Sequence, residues 1–170
     1  MTMKHSLGEV RREYERLDAL CGVSTRGVAL SVSTRATRRM GLFRPGRPPQ
    51  IILSAFVLDD DALFWDTIRH EYAHALVWLR EPDSRHGHDA VWQAACREVG
   101  CEAKATAAPG EAQLALRERR AKYRVTCGGC GQETLYLKEG KIVKLLRTGR
   151  GKRVRCRVCG ANQFRLEYIR

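Results

Sequence analysis

The stretch DALFWDTIRHEYAHALVWLR, from Asp61 to Arg80, constrains this chain more than any other, because His70, Glu71 and His74 form an HExxH arrangement inside an apolar helical pattern. Two histidines four apart lie one turn above each other on the same helix face. Their imidazoles can reach one Zn²⁺ without bending the backbone, and the glutamate beside the first is placed to handle a proton of water at that metal. Leu63, Phe64, Ile68, Tyr72, Ala75, Leu76 and Leu79 recur at helical spacing and predict a core-facing side. Asp59, Asp60 and Asp61 offer an N-cap, and Glu81-Pro82 marks the stop. The pattern implies the chemistry of a zinc-dependent peptidase.

A catalytic zinc takes three protein ligands and leaves one position open. The third must therefore come from EPDSRHGHDAVWQAACREVGC, which follows the helix. His88 is the first choice, because it stands just before a second helix whose Val91, Trp92, Ala95, Cys96 and Val99 form an apolar stripe, with Gly100 past its end. A ligand at that junction is held by a rigid element and can still approach across the Gly87 turn. His86 is the nearest rival, and Glu98 would serve a site that used a carboxylate.

Upstream, Ser6 and Glu9 stand in capping-box register ahead of Leu7, Val10, Tyr14, Leu17 and Cys21, and Gly22 closes that helix. Val28, Leu30 and Val32 alternate as in a strand. Thr37 to Phe43 predicts a second extended piece, and the RPGRPP turn leads to a third at Gln50 to Ser54. Three short strands flanked by helices predict an α+β fold with a small sheet packed against the HExxH helix. Arg38 and Arg39 in this region read as solvated residues before they read as contacts to substrate or DNA.

Charge is divided unevenly along the 170 residues. Residues 1–110 hold 15 Lys+Arg and 14 Asp+Glu, whereas residues 111–170 hold 16 and 5. The last third is therefore an arm for a polyanion, with nucleic acid the leading partner. It also contains Cys127-Gly128-Gly129-Cys130 and Cys156-Arg157-Val158-Cys159, two CxxC turns suited to a closed Cys₄ zinc site. Such a site is structural, so the prediction is two Zn²⁺ per chain, one catalytic and one structural. Cys21, Cys96 and Cys101 read as small buried hydrophobes. Thr134 to Leu137, Lys141 to Leu145 and Gln163 to Ile169 read as strands of a zinc ribbon. The candidate phosphate contacts are Lys138, Lys141, Lys144, Arg147, Arg150, Lys152, Arg153, Arg155 and Arg157, opposed there by Glu139 alone. The Ala/Lys/Pro/Gly-rich run after Cys101 predicts a boundary. That gives a metallopeptidase domain at 1–105, a linker with a short basic helix at 106–122 and a ribbon at 123–170.

No apolar run approaches the ~20 residues that span a bilayer. The N-terminus MTMKHSLGEV has no apolar middle of the signal-peptide kind. The expectation is a cytoplasmic protein, associated with the nucleoid if it binds DNA, with paired cysteines that serve metal rather than disulfides.

His70-Glu71-Tyr72-Ala73-His74-Ala75, followed by Gly87-His88-Asp89-Ala90-Val91-Trp92, resembles the SprT-like zinc metallopeptidase family, which includes the eukaryotic protease Spartan. In that family a histidine stands four positions ahead of a Trp or Phe, as His88 stands to Trp92. The leading helix, the Arg38-Arg39-Met40-Gly41 segment and the Ile51-Ile52-Leu53-Ser54 strand match in order, so the resemblance covers residues 6–104. The family ligand is often followed by Gly, whereas Asp89 follows His88, which keeps His86 in play. The resemblance implies a zincin-like domain with a C-terminal ribbon, and an enzyme acting on proteins associated with DNA, DNA–protein crosslinks among them. A reading from a different class is a nucleic-acid-binding zinc protein whose HExxH site is structural or inactive.

Overall fold

A computed structural model describes residues 3–82, 86–104 and 108–170. The chain divides into two compact units, Met1–Leu114 and Ala115–Arg170.

The first unit opens with α1 (Leu7–Cys21), where Ser6 and Glu9 cap each other reciprocally and Gly22 ends the helix at φ 67°. Three strands follow: β1 (Ala29–Ser33), β2 (Gly41–Arg44) and β3 (Gln50–Ser54). β3 is central, parallel to β1 from Ala29↔Gln50 to Ser33↔Ser54 and antiparallel to β2 from Gly41↔Leu53 to Arg44↔Gln50. β2 is therefore an edge strand. Ile51 and Leu53 of β3 are wholly buried, each worth roughly 1.5–3 kcal/mol of apolar transfer. A 3₁₀ turn at Ala55–Asp59 buries Phe56, Val57 and Leu58 and delivers the chain to α2 (Asp61–Arg80).

α2 is the centre of this unit. The Asp60 side chain accepts from the Ala62 and Leu63 N–H groups and starts the helix. Phe64, Ile68, Tyr72, Ala75 and Leu76 are fully buried, and α1, α3 (Ala90–Val99) and the sheet pack against the helix. The Tyr14 hydroxyl donates to the Ile68 carbonyl at 2.9 Å, and the Tyr72 hydroxyl donates to Asp18 at 2.9 Å. Glu13 accepts from both Arg69 and Arg16, which locks α1 to α2 in register.

The next helix, α4 (Glu111–Arg120), covers most of the stretch expected as linker; residues 106 and 107 of that stretch lie outside the described residues. Gln113 in its first turn is buried, and its amide donates to the carbonyls of Thr37 (3.2 Å) and Arg38 (2.7 Å).

The second unit is a three-stranded antiparallel sheet in the order β5-β4-β6, from β4 (Tyr123–Cys127), β5 (Glu133–Tyr136) and β6 (Phe164–Tyr168). Lys141 to Leu145, expected as a strand, is instead helical as part of α5 (Lys141–Arg147). The reason is visible in the residues. Ile142, Val143 and Leu146 fall on one helical face with Val143 wholly buried, and Lys141, Lys144 and Arg147 fall three apart on the other. The fold is α+β, as the sequence predicts. Among the described residues no helix is long and apolar enough to cross a membrane.

Candidate metal centres

α2 sets His70 and His74 one turn apart on the face left open by the core. His88 comes from the loop before α3, immediately ahead of Asp89, whose carboxylate caps that helix by accepting from the Trp92 N–H at 3.1 Å. The Nε2 atom of His88 lies 3.3 Å from Nε2 of His70 and 3.3 Å from Nε2 of His74. A metal about 2.05 Å from nitrogens at tetrahedral angles sets them about 3.3 Å apart, so the donor set fits one zinc. Trp92, fully buried, lies beneath all three rings, with centroids 4.8, 5.1 and 4.5 Å from those of His70, His74 and His88.

The protonation states suit that fit. Burial lowers His70 to about 4 and His74 to about 3, so both imidazoles are neutral at pH 7 with a lone pair to donate. Glu71, the next residue along α2, lines the same cleft as the three histidines and sits under the edge strand β2. Burial pushes its carboxyl up to about 8 against the opposing pull of the Phe43 backbone N–H. A group with that proton affinity can take and return a proton near neutrality. Gly41 makes the room: a Cβ there would lie 2.7 Å from Glu71 Cδ and meet Oε1 closer still. The sequence shows Gly41 without showing this approach, because the two residues are 30 positions apart.

The rival ligands are occupied elsewhere. His86 is held between Asp89 (2.7 Å) and Glu81 (3.1 Å), and Glu98 forms a two-pronged pair with Arg80 at 2.7 Å for both contacts. The histidine cluster opens into a cleft of about 990 Å³ between α2 and β2. Arg38 and Arg39 line it, as do Phe43, Asp66, Trp78, Glu102 and Lys104, none of which sequence reasoning had assigned to a site. Trp78 was within reach of such reasoning, since it continues the four-residue step from His70 and His74.

In the second unit Cys127, Cys130, Cys156 and Cys159 converge, with Cys127 and Cys159 Sγ atoms 3.6 Å apart and Cys130 and Cys156 3.7 Å apart. Tetrahedral Zn–S bonds of about 2.3 Å put sulfurs about 3.8 Å from each other, so these four also fit one zinc. Backbone N–H groups of Cys159 and Val158 lower the Cys156 thiol to about 6, towards the thiolate that a metal needs. A Cβ on Gly129 would come within 2.7 Å of Ala161 Cβ, so only glycine lets the two knuckles close. The nine basic candidates are all exposed: Lys138, Lys141, Lys144, Arg147, Arg150, Lys152, Arg153, Arg155 and Arg157. Arg147 also pairs with Glu139 at 2.9 Å. Cys21 and Cys96 are buried, and Cys101 is half-buried.

Among curated proteins none matches the chain. The family model described as SprT-like matches residues 9–113, which run from the first turn of α1 to the buried Gln113 and include the three histidines, Glu71 and Gly41. With more than half its length matched in this way, the chain belongs to the SprT-like family.

Proposed function

We propose that this protein is a zinc-dependent endopeptidase acting on proteins held near nucleic acid, those crosslinked to DNA included. The observation that supports it most is the set of three imidazole nitrogens at zinc spacing in a cleft, next to a buried carboxyl. His70, His74 and His88 would hold Zn²⁺, which would supply Lewis acidity to water and to the scissile carbonyl. Glu71 takes the proton from that water and returns it to the leaving amine. The three histidines line a cleft, and a three-residue donor set would suit a catalytic zinc, where a structural site would take four. Gly41 keeps β2 clear of the carboxyl, so the base has one place to sit.

The second zinc, on the four cysteines, holds the ribbon together. The exposed lysines and arginines of residues 138–157 bind phosphates without reading bases, so affinity falls steeply with salt. Localisation on nucleic acid raises the effective concentration of substrates bound there. The family resemblance brings DNA–protein crosslinks into this reading, and the charge of the last third supports it.

Metal analysis tests the assignment. The purified chain should contain two zinc ions. His88→Ala should retain one, while His86→Ala should retain both; the reverse pattern moves the third ligand to His86. Gly41→Ala is expected to keep both ions yet lower turnover on an unstructured protein by about 10²-fold, the scale of a misplaced catalytic group. Equal turnover would remove the Gly41–Glu71 approach from the mechanism.

A further inference from the structure

The two ends of the cleft differ in kind. Trp78 lies one helical turn beyond His74, on the face that bears His70 and His74. Phe43 lies two residues beyond Gly41, on the face of β2 that meets Glu71. The two rings stand 6.4 Å apart at 56°, each only half-buried, and the buried Val77, next to Trp78 in sequence, also lines the cleft. The other end is charged and largely self-satisfied. Lys104 pairs with Glu102 at 2.7 Å, and Asp66 accepts the Glu102 backbone N–H at 2.7 Å. Exposed charges of that sort discriminate weakly between partners. Incompletely covered aromatic surface beside the metal ligands discriminates through water release, which scales with the apolar area of the guest.

Resting on the peptidase reading above, we propose that Phe43 and Trp78 form a specificity subsite, which selects a bulky apolar side chain at a position flanking the scissile bond. The substrate class is an unstructured polypeptide segment with Leu, Met, Phe or a similar residue beside the cut. Locally unfolded protein exposes such residues, whereas a folded surface mostly hides them. The cleft thereby adds a selection that localisation on nucleic acid does not provide.

The test uses the zinc-loaded full chain on a proteome-derived peptide mixture, with cut sites read by mass spectrometry. Apolar bulky residues should be enriched at one flanking position. On matched synthetic peptides carrying Leu or Ala there, the Leu peptide should be turned over at least about tenfold faster in kcat/KM. Trp78→Ala should erase most of that ratio and Trp78→Phe should restore it, with zinc content and melting temperature as the checks on folding. A wild-type cut profile without apolar enrichment overturns the inference even if the variant fails to fold, and so does a Leu/Ala ratio that survives Trp78→Ala. If the wild-type chain with both zinc ions cuts no peptide at all, the peptidase reading falls and takes this subsite with it. Cleavage without selectivity removes the subsite alone.

Discussion

Glu71→Gln is expected to abolish cleavage of protein substrates, self-cleavage included, with a loss of about 10²–10⁴-fold, while both zinc ions stay bound. The substitution keeps the shape of the side chain and removes only its ability to accept a proton. It should also leave the fold intact. The carboxyl is buried, and burial disfavours its charged form, so an uncharged amide of the same shape leaves the packing around it undisturbed. The ligands should be undisturbed as well, since His70, His74 and His88 are held by α2, Asp89 and the Trp92 ring rather than by Glu71. Cleavage rate, zinc content and melting temperature measured on one preparation decide the matter. Wild-type turnover in the Gln variant would eliminate the enzyme and leave the reading in which the histidine zinc is structural or inactive.

Loss of the cysteine zinc should have a comparably large effect on the other unit. Replacing Cys127 and Cys156 by Ser is expected to unfold residues 115–170 and to reduce nucleic-acid affinity by at least about tenfold, with the histidine zinc and the first unit's melting unchanged. The second unit has little else to hold it: Ala121, Val125, Cys127, Val143 and Val154 are its buried apolar residues. So small a core does not offset the entropy of ordering the chain, whereas structural zinc contributes on the order of 10–16 kcal/mol to folding in small metal-dependent domains. Hydrogen exchange locates the loss, and binding to a DNA oligonucleotide at two salt concentrations measures it. A variant that keeps its amide protection and its salt-dependent affinity would show that the metal is needed neither for the fold of residues 115–170 nor for binding the polyanion.

Much of the site was legible because its geometry is local. The HExxH helix, the Ser6–Glu9 box, the Asp60 cap and the CxxC knuckles are each set within a few residues, where helical periodicity or a tight turn converts spacing directly into position. Lys141 to Leu145 reads as a strand because three apolar residues among five fit a short strand as readily as a helix, and burial of Val143 decides for α5. β4 escaped notice although Tyr123, Val125 and Cys127 alternate. The SprT-like pattern of residues around His70 and His88 was likewise visible without coordinates.

What the sequence determined by itself is the chemistry on offer: two imidazoles and a carboxyl on one helix, four thiols in two turns, and a basic last third. Tertiary structure decided which of the downstream donors joins His70 and His74, that Glu71 is tucked against Gly41, and that Phe43 faces Trp78 across the cleft. These pairs are 14 to 35 residues apart along the chain. Contacts at such separations are set by how α2 packs on α1, α3 and β3, and no spacing rule encodes that packing.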